Sequence, residues 1–524
     1  MRLAVRLKAL LGPTPDELWS IRPDPPQDLE VGGICHDSRV VQPGDLFCAL
    51  PGRVCDGSHF VEDAYRRGAS AFLVEGDQRP GGVNGHLVLN ARSARRAMGH
   101  LAALIHGEPS RALRVVGVTG TDGKTSTAWL LRHILSADGR CAVAAGTLGI
   151  KGDGDRIESW DDRAQAAEAH RTWHPTTPES PVFQRALARL RDRGVQDVVV
   201  EVSSHALDQD RVYGTQFRAV ALTHVSTDHL DFHGSREAYI AAKMRLFDSA
   251  TRGGALERDR VIEVLNADDA VGRLLIARAV QTPVRFGHRS GCEVRLEKMT
   301  YRPDGMELAI EFTGRRVSFS TPLAGRFHSA NLLSAAAIAF AVGVRPEAIT
   351  SALASAPIIP GRFEAIREGQ PFAVIVDYAH TTEALRRLLE AARDLGRGRI
   401  LLVFGCGGDR DREKRAPMGR VAGELAEHII LTNDNPRSED PEGIAHQVRG
   451  GTAAGTWEVV LDRRCALRRA VEIARPGDIV VVAGKGAEGV QVFNNRVEPF
   501  DDRQVLRELL REGHPVTGTE GDAP

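Results

Sequence analysis

Val115-Val116-Gly117-Val118-Thr119-Gly120-Thr121-Asp122-Gly123-Lys124-Thr125 is the stretch on which the fold turns. Val115 to Thr119 is uncharged and rich in β-branched residues, which reads as a buried parallel strand. Gly120 to Thr125 then turns tightly, and Ser126 to Leu135 continues with helical periodicity. A strand feeding a helix through such a turn lines up backbone N–H groups at the helix N-terminus, where the helix dipole also favours anions. Lys124 is then placed to reach the terminal phosphates of a nucleotide and the Thr125 hydroxyl to hold Mg²⁺, with Gly120, Thr121, Asp122, Gly123 and Ser126 completing the cradle. The context predicts chemistry driven by a nucleoside triphosphate. The general P-loop pattern needs glycine at 118, where this chain has Val118, so the cradle is of another kind. GTPases are the obvious rival, but their Asn-Lys-x-Asp base-reading element is absent from the sequence.

At 524 residues the chain exceeds one core, and length alone suggests roughly three domains. A formal net charge of −1 gives no overall attraction to nucleic acid or an anionic membrane, so any anion site must be local. No apolar run approaches the ~20 residues of a membrane span, and Arg2, Arg6 and Lys8 interrupt the N-terminus where a signal peptide would be apolar. The seven cysteines form no C-x-x-C pair, so a reducing cytoplasm with buried thiols is expected.

Three regions separate by pattern, at 1–111, 112–358 and 359–524. In the first, short β-like runs (Asp45 to Leu50, Ala71 to Val74, Leu87 to Leu89) alternate with helices such as Phe60 to Gly68. The second holds the phosphate loop, strands at Asp197 to Val202 and Ala219 to Thr223, and an Ala-rich helix from Ser329 to Val342. The third alternates again, with strands at Phe372 to Val376, Ile400 to Phe404, His428 to Thr432 and Ile479 to Ala483. Alternating β and α elements imply an α/β fold with parallel sheets, whose ligands gather at the carboxyl ends of the strands. Lys151 to Trp173 reads as a polar surface loop, and the tail after Glu512 as frayed.

Chemistry-bearing residues fall at those strand ends. Glu201 follows Val198-Val199-Val200 and is placed to hold Mg²⁺, which prefers oxygen ligands. Asp228, His229, Asp231 and His233 crowd together after another strand, at a spacing that fits no standard Zn site. Four strand ends of the third region carry Asp377-Tyr378-Ala379-His380, Gly405 to Arg412, Asn433-Asp434-Asn435-Pro436-Arg437 and Gly484 to Glu488. Four such ends together suggest a rim built for a small polar ligand.

With these residues in view the chain resembles the Mur ligase family along almost its whole length. The family's loop is G-T-x-G-K-[TS], which accounts for Val118. A matching uridine-site series runs Asp37-Ser38-Arg39, Pro43-Gly44-Asp45-Leu46-Phe47 and Asp56-Gly57. The resemblance implies a three-domain α/β Mur ligase architecture: a UDP-binding domain, a central P-loop ATPase and a C-terminal Rossmann-like domain for the incoming amino acid. It is strongest to the branch that adds meso-diaminopimelate to UDP-MurNAc-L-Ala-D-Glu in peptidoglycan synthesis, using ATP and Mg²⁺, with no nucleic-acid partner and as a monomer.

By motif, the resemblance implies that Ser38 contacts the uridine diphosphate, and that Thr176, Thr177, Ser203, Gln209 and Arg211 hold the muramoyl-dipeptide. It gives catalytic and metal-binding roles to Lys124, Thr125, Glu201, His229 and Lys243, the last as a carboxylated lysine. Asn266, Asn331, Arg362 and Asp377 match positions that contact or orient ATP. Arg410, Asp434, Asn435, Arg437, Gly484 and Glu488 match the amino-acid site. Arg437 completes Asp434-Asn435-Pro436-Arg437, the form that accompanies diaminopimelate, whose second carboxylate a guanidinium can grip bidentately. The chain departs from the pattern at His224, His328, Asp122, Thr382 and Ala487. A paralogue joining another acid or amine, and an inactive UDP-sugar-binding protein, are the alternatives.

Overall fold

The computed structural model describes residues 5–513, apart from 13–14, 22–27, 53–54, 78–79, 84, 153, 155–156, 161–175, 249–260, 303–304, 452–454 and 495. Three principal sheets follow one another along the chain. The first is parallel, in chain order: Gly33–Cys35, Asp45–Cys48, Ala71–Glu75 and Leu87–Ala91. Its first three strands are almost wholly buried because helix Ala94–Ile105 lays Ala97, Met98 and Leu101 on one face, while Val61 and Ala64 cover the other.

The second sheet has eleven strands. At its centre Arg114–Thr119 lies between Asp197–Glu201 and Phe217–Leu222, all parallel, with Glu201 opposite Val118 and Leu222 opposite Thr119. That register decides the site: three carboxyl ends finish level with one another beside the phosphate loop. Val116 and Val118 face the layer formed by helices Lys124–Ala137 and Arg326–Ala341, and Val115 faces the opposite core with Phe183 and Leu187. The alternation is the two-residue period of a strand covered on both faces. Val294–Arg302, Gly305–Phe312 and Arg315–Thr321 extend the sheet antiparallel.

The third sheet has the order Glu364–Ala365, Ala373–Asp377, Ile479–Ala483, Ile400–Phe404, His428–Leu431, Thr456–Val459. The parallel strand latest in the chain inserts between the first two, so five parallel carboxyl ends open side by side. A fully buried bidentate pair, Arg463 with Asp502 at 2.7 and 2.8 Å, ties helix Asp502–Gly513 under this sheet. Apolar runs fixed these strands: Ile400–Phe404 and Ile479–Ala483 have the expected bounds.

Two expectations need correction. The segment expected as a loop from Lys151 begins as a hairpin, Gly149–Lys151 pairing antiparallel with Ile157–Glu158, and Trp160 is buried with its Nε1–H donating to the Gly146 carbonyl at 3.2 Å. Its remaining part, 161–173, lies outside the described residues, as does the tail beyond 513. The thiols are free but not uniformly buried: Cys35, Cys48 and Cys406 are, whereas Cys55, Cys141 and Cys465 are exposed. Among the described residues no helix is long and apolar enough to cross a membrane.

Candidate active site

Gly123 caps helix Lys124–Ala137 in the left-handed region, at φ 84°. A Cβ there would lie 2.5 Å from Asn331 Oδ1, so both the turn and the close approach of Asn331 require glycine. Lys124 curls over the loop, its Nζ donating to the carbonyls of Gly120 (2.9 Å) and Thr121 (2.8 Å). Burial lowers the Lys124 ammonium from its ordinary range, opposed by the charges of Glu201 and Asp122.

Beside the loop, Thr125 Oγ1 donates to Glu201 Oε2 at 2.8 Å. Glu201 also accepts from the Thr147 backbone at 3.0 Å and the Thr147 hydroxyl at 3.2 Å, which itself meets Thr176 Oγ1 at 3.0 Å. The Arg362 guanidinium reaches across from the third sheet's side, donating to Thr125 Oγ1 at 3.1 Å and lying 4.3 Å over the Tyr378 ring. Behind the loop, buried Lys243 donates to the Gly120 carbonyl at 2.6 Å and sits over the Tyr239 ring, whose hydroxyl meets Thr121 Oγ1 at 2.8 Å. Burial, then the charge of Lys124, push the Lys243 ammonium well down. His229 stands in the left-handed region at φ 54°, held by Asp228; burial pushes its imidazole down to about 4.

One cavity of about 1040 Å³ joins this cluster to the strand ends of the third sheet. Of the residues singled out in the sequence it brings together Thr121 to Ser126, Thr176, Glu201, Ser203, Arg211 and His229. From further along the chain come Asn266, Asn331, Arg362, Asp377, Arg410, Asp434, Arg437, Gly484 and Glu488. Gly120, Thr177, Gln209, Lys243, Asn435 and Ser38 are not on its wall. The first five act one contact behind it. Thr177 Oγ1 donates to the Glu201 carbonyl at 2.8 Å, Gln209 Oε1 accepts from Arg211 at 2.6 and 3.0 Å, and Asn435 Nδ2 donates to Glu488 at 2.9 Å. Ser38 lies apart, buried at the first sheet. A line of charge leads in that direction: Arg211 pairs with Glu179 at 3.2 Å, and Glu179 with Arg95 at 3.1 Å. Burial alone would raise the Glu179 carboxyl, but Arg211, His36 and Arg95 outweigh it and hold it below its usual range.

Asp377 is spent on the backbone: its two oxygens accept from Phe363 N and Ala379 N, each at 2.8 Å. It therefore fixes the chain crossing into the third sheet, where Phe363 has φ 49°. Arg437, also left-handed at φ 53°, has Nη1 on the Gly408 carbonyl at 2.7 Å. Its loop is braced by Glu439, which accepts from Asp409 N (2.6 Å) and from both terminal nitrogens of buried Arg415 (2.9 Å each). Asp409 in turn accepts from the Ser438 hydroxyl at 2.7 Å.

Sequence reasoning gave no role to Arg415, Glu439 or Lys485. Lys485 is fully buried and donates to Glu488 (2.9 Å) and Asn435 (3.3 Å), tying two rim loops by a cation inside a glycine-rich turn. A charged residue flanked by glycines at a strand end was the available signal.

Three family models match the chain: Mur ligase family, catalytic domain, over residues 30–105; Mur ligase middle domain over 118–339; and Mur ligase, glutamate ligase domain, over 361–486. The UDP-N-acetylmuramoyl-L-alanyl-D-glutamate–2,6-diaminopimelate ligase of Alkalilimnicola ehrlichii is 41% identical over 522 residues, spanning 97% of this chain and 99% of the relative. The enzyme of the same name from Syntrophomonas wolfei is 38% identical over 491 residues, 93% of this chain and 96% of its own. Among solved structures, that of a UDP-N-acetylmuramoyl-L-alanyl-D-glutamate–2,6-diaminopimelate ligase superposes with TM-score 0.65 at 28% identity, covering 98% of this chain and 100% of the other.

Proposed function

The chain belongs to the Mur ligase family and is an ATP-dependent ligase, and we propose that it joins meso-diaminopimelate to the D-Glu γ-carboxylate of UDP-MurNAc-L-Ala-D-Glu. The observation that carries this reading is the single cavity running from the phosphate loop to Arg437: a triphosphate site at one end and a guanidinium for a carboxylate at the other. The proposed working state is a monomer. The proposed division is a UDP-binding domain at 1–111, an ATP-binding domain at 112–358 and an amino-acid domain at 359–524. The proposed location is the cytoplasm, where ATP is the available phosphate donor.

In this reading Lys124 and the N-terminus of helix Lys124–Ala137 neutralise the phosphates, while Asn266 and Asn331 orient the nucleotide. Arg362 adds a second cation at Thr125. Thr176, Ser203 and Arg211 hold the dipeptide acid, with Thr177 and Gln209 behind them, and Ser38 meets the uridine diphosphate. The γ-carboxylate attacks the γ-phosphate; the P–O bond to ADP breaks and an acyl phosphate forms. The amine of diaminopimelate then attacks the acyl carbon, phosphate leaves with the C–O bond, and the ammonium proton is lost to solvent. Because water competes for the acyl phosphate, a burial of the reacting carbon between the second and third sheets is required.

The residues fit Mg²⁺. The adjacent oxygens of Thr125 and Glu201 are hard ligands of the type it prefers. Among the described residues no three His, Cys, Asp or Glu form a cage, as suits an ion completed by phosphate oxygens and water. His229 and a carboxylated Lys243 are the further ligands proposed. Mg²⁺ supplies charge neutralisation as the phosphoryl group transfers.

The test is product analysis with UDP-MurNAc-L-Ala-D-Glu and ATP, offering meso-diaminopimelate or L-lysine. ADP release with a product one diaminopimelate residue heavier is expected; turnover only with another amine, or none with either, contradicts the reading.

A further inference from the structure

His224 sits two residues beyond strand Phe217–Leu222 and holds the phosphate loop by its backbone. Its carbonyl accepts from Thr121 N at 2.6 Å, and it forms an isolated antiparallel bridge with Asp122. Its side chain is held at both nitrogens. Nδ1 lies 2.9 Å from Asp269 Oδ2, and Nε2 lies 2.9 Å from Arg387 Nη2. Arg387 stands on helix Thr382–Arg393 of the third sheet's layer, 163 residues away in sequence. A guanidinium only donates, so Nε2 accepts and the imidazole proton is on Nδ1, directed at Asp269.

Each end of this chain is fixed. Buried Asp269 accepts from Val225 N (3.0 Å), Val271 N (2.8 Å) and Gly272 N (3.2 Å), capping helix Ala270–Arg278. Arg387 Nε donates to Glu383 one turn earlier at 2.9 Å, and its Nη1 is 3.9 Å from Asp122 Oδ2 on the loop itself. One imidazole thus ties the loop, by its backbone, to a helix of the amino-acid side, by its ring. His224, Asp122 and Arg387 all line the shared cavity, and neither His224 nor Arg387 is needed by the chemistry assigned above.

We propose that His224 and Arg387 are positioning residues forming a latch that couples nucleotide occupancy of the phosphate loop to closure of the C-terminal domain. The inference rests on the reading of the loop as the ATP site. A shift of the loop would move Thr121 and Asp122, and His224 with them, and a rotation of the third sheet would carry Arg387 away from the ring. Closure in turn holds the loop in its loaded position, since coupling between two sites is reciprocal. A helix arginine resting on a neighbouring surface, with no coupling, is the rival explanation.

The experiment uses the full chain with His224→Phe, which keeps the ring volume and removes the acceptor, Arg387→Met, and the double variant. A non-hydrolysable ATP analogue is the probe, followed by its dissociation constant, by small-angle scattering for compaction, and by steady-state kinetics. The wild-type protein should compact on binding the analogue. Because the coupling is reciprocal, each single variant should bind it roughly 10-fold more weakly than wild type, lose the compaction, and lower kcat roughly 10-fold with the KM for the UDP-linked acid unchanged. The double variant should be no worse than the worse single one. Arg387 is half-exposed, so its variant stays folded even where His224→Phe does not. Compaction that survives Arg387→Met, or additive losses in the double variant, overturns the latch. Absence of analogue binding by the wild-type protein instead removes the ATP-site reading, and the latch with it.

Discussion

Lys124 and Lys243 converge on one atom: both ammonium groups donate to the Gly120 carbonyl oxygen, at 2.9 and 2.6 Å. Two cations on one carbonyl in a buried place repel, and the chain has already driven the Lys243 amine toward its neutral form by burial and by Lys124. A neutral amine adds carbon dioxide, forming an N–C bond and losing a proton, and the carbamate replaces a repelled cation by an anion facing Lys124. The geometry thus supplies a physical motive for carboxylation at this position.

Carboxylation is therefore expected to be visible and needed. Protein equilibrated with ¹³C-bicarbonate should show a carbamate carbon signal that is absent from Lys243→Ala, and that variant should lose roughly 100-fold or more of kcat. A fully active Lys243→Ala enzyme would remove the modification from the account.

Arg437 should select the second carboxylate. A charge-assisted hydrogen bond contributes about 1.5–3 kcal/mol, so Arg437→Ala should cut the preference for meso-diaminopimelate over L-lysine by roughly 10- to 100-fold. Arg437→Lys should not restore it, because a point charge cannot reproduce the planar fork. Competition kinetics with the two amino acids reads this directly.

Glu439 touches no proposed substrate atom, yet it ties Arg415 and the Asp409 backbone beneath Arg437. Hydrogen bonding from Arg415 pushes its carboxyl down to about 2. Glu439→Gln, which loses the charge but keeps the shape, should raise the KM for diaminopimelate roughly 10-fold and leave the KM for ATP unchanged. Equal effects on both would show general loosening instead.

His328 predicts a pH dependence of stability. It is fully buried, with Nε2 3.2 Å from the Arg362 carbonyl and Nδ1 without a hydrogen-bond partner, and burial pushes its imidazole from 6.5 down to about 4. Between those values the unfolded chain binds more protons than the folded one. The contribution is whole above about 6.5 and is lost as pH falls toward about 4, by an amount on the order of 3 kcal/mol at most. The unfolding free energy of His328→Asn should therefore fall less than that of the wild type across this window; parallel curves would contradict the assignment.

What the sequence disclosed follows from what is local. Ile400–Phe404 and Ile479–Ala483 were legible because uniformly apolar runs end in charged or glycine-rich turns, and the loop at Gly120 to Thr125 because its geometry is written in consecutive residues. The pairing of Gly149–Lys151 with Ile157–Glu158 was hidden because the outer strand, at the sheet's edge, is only two residues long and one of them is charged. Arg415 reads as one member of a mixed-charge surface run, but its side chain is fully buried because Glu439, Gln447 and the Gly407 carbonyl surround it. Nothing near His224 announces Arg387, since their contact is made only when two sheets are brought together.

The most direct test of the central claim follows one oxygen atom. With both oxygens of the D-Glu γ-carboxylate of UDP-MurNAc-L-Ala-D-Glu labelled as ¹⁸O, attack on ATP through an acyl phosphate predicts one ¹⁸O in the inorganic phosphate released with each amide formed. Label retained in the amide product alone, or appearing in AMP, would contradict it.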